Sequence, residues 1–139
     1  MRVFLDSNVW VSAFATRGLC AEVVRTLLRR HGLGTIEVLA GEPVIAETLN
    51  ILVDKFNATE DDLAPERTAF GIAHRVPWAS DDPPAGIPDP DDVPIIACAL
   101  AAGAQVFIIG DKALLELYSI TDMPIISPRA CLEWLCSGI

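Results

Sequence analysis

The chain has 139 residues, 52% of them hydrophobic, with a mean hydropathy of +0.42. That length fits one domain with a sizeable core, residues 1–139, and the composition excludes a disordered chain. Ten Lys and Arg against 19 Asp and Glu leave a net charge of −9, which argues against non-specific nucleic-acid binding through phosphate contacts alone.

No apolar run is long and charge-free enough to cross a bilayer. Met1 opens directly on a strand-like segment, so no signal peptide is expected and a cytoplasmic location follows. Cys20, Cys98, Cys131 and Cys136 form no CxxC pair, and His31 and His74 lack metal-ligand spacing, so the cysteines are expected as free thiols and no zinc site is expected.

In chain order, Arg2–Leu5 reads as a strand, apolar at successive positions and so buried on both faces. Val9–Ala15 and Cys20–Arg30 read as helices broken at Gly18, and Arg25, Arg29 and Arg30 cluster on the second. That cluster is either a substrate-binding patch or a solvated helix face. Thr35–Leu39 is a second strand. Glu42-Pro43 opens a helix to Phe56, with proline in the first turn where its missing N–H is harmless.

Thr59, followed by Glu60, Asp61 and Asp62, is a candidate cap for a helix reaching about His74. Arg75–Trp78 reads as a short strand, and the proline-rich run Ser80–Asp91 as an ordered loop beside the site. Asp92–Ala102 is a buried apolar helix stopped by Gly103. Gln105–Ile109 is a strand, Lys112–Tyr118 a short helix, Pro124–Ile126 the last strand and Arg129–Leu135 the terminal helix. This alternation predicts an α/β fold of three layers, with four to five parallel strands between helices.

Three acids stand where a strand ends or a helix starts: Asp6 after "VFL", Asp92 before "VPIIACAL" and Asp111 after "VFIIG". Parallel strands bring such positions to one sheet edge, where ligands bind. Acids gathered there repel one another unless a cation neutralises them. Each has an ordinary alternative, since Asp caps helices and fills turns. Glu47 projects away from the apolar stripe Ile45, Leu49, Leu52, Val53 and Phe56, so a solvated surface acid is its default reading.

The constellation is more specific than its members. "FLDSNVWVSAF", "PVIAETLNIL", "DPDDVPIIACALAAGA" and "VFIIGDKALL", in that order, resemble the PIN-domain family of metal-dependent ribonucleases. The resemblance runs from the first strand to the last helix. It is nearest to the toxin branch allied to the VapC toxins of bacterial toxin–antitoxin pairs.

The resemblance implies a PIN-like fold in which Asp6, Glu47, Asp92 and Asp111 are the catalytic acids and hold one or two Mg2+ or Mn2+ ions. It implies auxiliary roles for Asn8 and Asp89. It also implies RNA as substrate, products with 5′-phosphate and 3′-hydroxyl ends, a homodimer, and an antitoxin as candidate partner. Hard oxygen ligands suit Mg2+, whose chemistry is to acidify water and to offset charge on a scissile phosphate.

The chain departs from the family's pattern at Ile109, where Thr or Ser is usual, at Ala113, where Asp is common, and at Ser7 in place of Thr. These changes thin the shell that supports the ligands. They motivate the alternative of a catalytically weak or inactive PIN-fold module that binds RNA or protein. A receiver-type signalling domain would need paired acids after the first strand and an Asp ending a middle strand, which "IEVLAGEP" does not supply. Trp10, Trp78 and Trp134 are candidate interface aromatics, with core packing the commoner fate of such residues.

Overall fold

A computed structural model describes residues 1–79 and 86–137. Six strands form one sheet in the order β3-β2-β1-β4-β6-β5. They are β1 (Arg2–Leu5), β2 (Glu37–Gly41), β3 (His74–Val76), β4 (Val106–Ile108), β5 (Ser119–Ile120) and β6 (Met123–Ile126). All pairings are parallel except β5 with β6.

The α-helices are α1 (Ser7–Ala15), α2 (Leu19–Gly32), α3 (Glu42–Phe56), α4 (Ala64–Ile72), α5 (Val93–Ala101), α6 (Lys112–Leu115) and α7 (Pro128–Cys136). They cover both faces of the sheet, as the expected α/β/α layering requires. The sheet is one strand wider than expected because β5 turns back along β6 as an edge hairpin.

β1 lies in the middle because every residue from Val3 to Leu5 is apolar and can be buried on either face. Phe4 pairs in register with Phe107 of β4, and their rings stack with centroids 5.6 Å apart. β2 ends at Gly41 because a Cβ there would stand 2.8 Å from Cys98 Sγ and 2.9 Å from Phe4 Cζ. α5 can therefore lie close against the sheet. A second aromatic group, Trp10, Phe14 and Phe70, ties α1 to α4, so Trp10 is a core residue.

Several boundaries differ from expectation. Thr59 does form a reciprocal box with Asp62: Thr59 Oγ1 accepts from Asp62 N at 3.2 Å, and Asp62 Oδ2 accepts from Thr59 N at 2.8 Å. That box closes a single turn, and α4 begins only at Ala64. Pro65 has no N–H to carry the helix through. His74 belongs to β3, not to the helix end. In the expected loop Ser80–Asp91, residues 80–85 lie outside the described residues, and Pro90–Asp92 form a 3-10 turn that leads into α5.

The strand order places the site. The chain winds from β1 outward through β2 and β3, then crosses to the other side of β1 at β4. That reversal makes a crevice at the carboxyl ends of β1 and β4, the usual ligand position in an open α/β sheet.

Candidate metal centre

Asp6 immediately follows β1, and its backbone N–H still donates to Ile108 O at 3.0 Å, fixing it beside β4. It caps α1, with Oδ2 accepting from Asn8 N at 3.3 Å. Asp111 lies just beyond β4 and caps α6, with Oδ1 accepting from Ala113 N at 2.8 Å. Asp92 closes the 3-10 turn and opens α5 but makes no side-chain cap bond. Capping thus accounts for one oxygen of Asp6 and one of Asp111, leaving each a second oxygen. It accounts for nothing at Asp92.

Glu47 reaches the same region from the middle of α3. The buried face of α3 runs through Val44, Ile45, Thr48 and Leu52, whereas Val53 and Phe56 are exposed. Glu47 is exposed, as its position off the apolar stripe predicts. It lines a groove of about 480 Å³ between α3 and α5, and its charge is felt at both Asp6 and Asp92.

The electrostatics are those of a site lacking a positive charge. Asp6 is 3% exposed, and its carboxyl is pushed up to about 6. Burial is the main cause, followed by the charges of Asp92 and Glu47, against the N–H groups of Asn8 and Ser7. Asp92, half-buried, is also pushed up to about 6, first by burial and then by Asp89, Asp111, Glu47 and Asp91. Among the described residues, no ion pair involves Asp6, Glu47, Asp92 or Asp111.

The donor chemistry fits a hard divalent cation: carboxylate oxygens, mutual repulsion and, among the described residues, no base ion-paired with them. Ser7 Oγ and Thr48 Oγ1, which follow Asp6 and Glu47 in sequence, are buried with no hydrogen-bond partner among the described residues. Thr48 escapes a reading of the chain, although a hydroxyl at a core position of an apolar stripe is the signal that marks it. The acids are neighbours rather than a finished cage. Among the described residues, no three His, Cys, Asp or Glu side chains close round one point.

Asn8 is exposed and contributes its backbone N–H to Asp6. Asp89 caps the 3-10 turn, its Oδ1 accepting from Asp91 N at 2.9 Å, and adds its charge to Asp92. Ile109 is 1% exposed and belongs to the core, so that position offers the site no polar atom.

The arginines lie elsewhere. Arg25 pairs with Glu22 on α2. Arg30 donates to Leu135 O at 2.9 Å, at the end of α7. His31, its neighbour, accepts from Val38 N of β2 at 2.9 Å. Arg29 and Arg30 therefore sit where β2 starts, at the opposite sheet edge from the acids.

No curated protein matches the chain. The PIN domain matches residues 2–113, which run from β1 into α6 and contain all four acids. The chain belongs to the PIN-domain family, whose members are in general nucleases.

Proposed function

We propose that this protein is a Mg2+- or Mn2+-dependent ribonuclease that hydrolyses RNA phosphodiester bonds. The observation that carries the proposal is Asp6: an almost fully buried carboxylate with two acidic neighbours and no basic partner. A fold maintains such a group at a cost unless a ligand relieves it. Asp6, Glu47, Asp92 and Asp111 are the residues that would hold the metal. A divalent ion there supplies charge to offset that of the scissile phosphate and acidifies water.

The chain's own groups do the rest. The N-termini of α1, capped by Asp6, and of α5, which starts after Asp92, offer positive ends to an incoming anion. Asp92, with no oxygen committed to a cap, is the acid best suited to orient or deprotonate water. Asp6 and Asp111 hold fixed orientations through their cap bonds.

We further read the protein as the toxin of a toxin–antitoxin pair, acting in the cytoplasm as a homodimer and held inactive by its antitoxin. The sequence resemblance supports this. Apolar side chains left in solvent, Val53, Phe56 and Ile72 among them, provide surface for a partner to cover. No helix among the described residues is long and apolar enough to cross a membrane.

A second reading, a PIN-fold module that binds without cutting, is favoured by one observation: the acids do not close into a three-ligand cage. One experiment separates the two. Purified protein with Mn2+ is incubated with RNA beside its Asp6→Asn variant, and metal binding to both is titrated by calorimetry. The ribonuclease reading expects cleavage and metal binding that the variant loses. No cleavage, with metal binding indistinguishable between the two proteins, would overturn it.

A further inference from the structure

We propose that the groove between α3 and α5 is a nucleobase subsite, taking one base of single-stranded RNA against the Trp78 indole and preferring guanine. The identity of the bound strand rests on the ribonuclease reading. The groove is about 480 Å³ and carries Glu47, Asn50, Asp54 and Lys55 from α3, Trp78 from beyond β3, and Asp91 from the turn before α5. Glu47 belongs to both the groove and the acid cluster, so whatever the groove holds lies beside the reacting phosphate.

Trp78 points to the ligand's shape. It is 60% exposed, whereas Trp10 is wholly buried and Trp134 partly so. An indole held in solvent at the lip of a groove offers a flat apolar face on which a base can stack. It also borders a smaller space of about 100 Å³ lined by Cys98 and Ala101 of α5 and by Ala102 just beyond it.

The acids point to the base rather than the backbone. Asp54 and Asp91 repel phosphate, and neither they nor Lys55 forms an ion pair among the described residues. Guanine presents a ring N–H beside an exocyclic amine, two donors that one carboxylate accepts together, and Asn50 adds an amide. Uracil offers those carboxylates chiefly carbonyl oxygens. Lys55, about 12 Å beyond Glu47 along the helix axis, is the one base on this wall and can meet a flanking phosphate. A chain of net charge −9 gains little from phosphate contacts, so stacking and base-edge hydrogen bonds must supply much of its affinity.

The test uses the full-length protein and 2′-O-methyl pentanucleotides, which resist cleavage, with tryptophan quenching and equilibrium binding as readouts. Guanine-containing strands are expected to bind about 5- to 100-fold more tightly than oligouridine. Trp78→Ala is expected to weaken binding by a similar factor, and Trp78→Phe to retain most of it. Asp54→Asn or Asp91→Asn should erase the guanine preference without weakening oligouridine binding. The salt dependence should be shallow.

Unchanged binding in Trp78→Ala overturns the proposal, as does absence of base preference in the wild type. So does quenching by a Lys/Arg-rich peptide but not by any oligonucleotide, which would make the groove a peptide site. Cleavage of ordinary RNA with Mn2+ separates the two ideas. Intact cleavage with unchanged KM and site choice in Trp78→Ala removes the subsite and leaves the ribonuclease. Trp78-dependent guanine binding without cleavage removes the ribonuclease and leaves the subsite.

Discussion

Asp6→Asn should make the metal-free protein more stable while disabling the site. The Asp6 carboxyl has an ordinary value of 3.8 and stands at about 6 in the folded chain. Each unit corresponds to about 1.4 kcal/mol, so the buried charge costs about 3 kcal/mol once fully ionised. Below pH 3.8 the group is protonated in both states and the cost vanishes. Between there and about pH 6 the folded protein keeps a proton that the unfolded chain has released, so stability falls as pH rises. Above that the full cost is present. Asparagine also caps helices well, so α1 retains its start.

We therefore expect the EDTA-treated variant at pH 7.5 to melt several degrees above wild type, taking roughly 3 °C per kcal/mol for a domain of this size. Its pH slope between 4 and 6.5 should flatten, though not vanish, because Asp92 titrates in the same window. Adding Mg2+ or Mn2+ should raise the wild-type melting temperature and move the variant less. Calorimetry and circular dichroism read all three. A metal-free variant that melts at or below wild type with an unchanged pH slope would show that Asp6 is not an uncompensated buried charge. The case for a cation would fall with it.

Other expectations are simpler to test. Asp92→Asn and Asp111→Asn should each lower Mn2+-dependent cleavage by roughly 100-fold or more in kcat without unfolding the protein. Asp111→Ala should in addition lose about 1 kcal/mol of stability, seen in urea melts, because its cap bond goes too. Gly41→Ala should lower stability by about 1–3 kcal/mol, since the new Cβ meets Cys98 and Phe4; an unmoved urea midpoint would contradict that packing. Burial pushes the Cys98 and Cys131 thiols up to about 11, so at pH 8 mass spectrometry should find them alkylated far more slowly than exposed Cys136. Arg30→Ala should lower stability by about 1 kcal/mol through loss of the Leu135 contact and leave RNA affinity unchanged; weakened RNA binding would return the α2 arginines to the substrate surface.

The parallel core was legible because its strands are continuous apolar runs. Val3–Leu5 and Phe107–Ile109 can only be buried on both faces, and that burial implies helices above and below. From the layout, the convergence of Asp6, Asp92 and Asp111 follows almost geometrically. β5 was not legible. It has two residues, and its hairpin turn, Thr121-Asp122, holds φ of 48° and 66° without the glycine or asparagine that normally announces such a turn.

Glu47 marks another limit. Which face of α3 is buried depends on what packs against it, so a list of apolar residues along the helix placed Val53 and Phe56 in the core when both are exposed. The position of Glu47 opposite that stripe was readable from the helix pattern, but its nearness to Asp6 and Asp92 was expected only from the family resemblance. Trp78 was readable as the end of a short strand and as a candidate interface aromatic, whereas the strand stops at Val76 and the indole is exposed. The groove it borders is assembled from three separated segments.

The central position of β1 has a consequence for how the molecule comes into being. Val3 and Phe4 are separated by about a hundred residues from half of their hydrogen-bonded neighbours, Val106 and Phe107, which are synthesised later. Contacts so distant in sequence are slow to form, because a long loop must close before they return any energy. A growing chain can pair β1 with β2, but it cannot set Asp6 beside β4 or bring Asp111 to it until β4 and Asp111 have been made. The acid cluster is thus a late product of folding. A chain cut before β4 would lack Asp111 and the strand that fixes Asp6, while β1 would carry an exposed, apolar and unpaired edge prone to joining another chain.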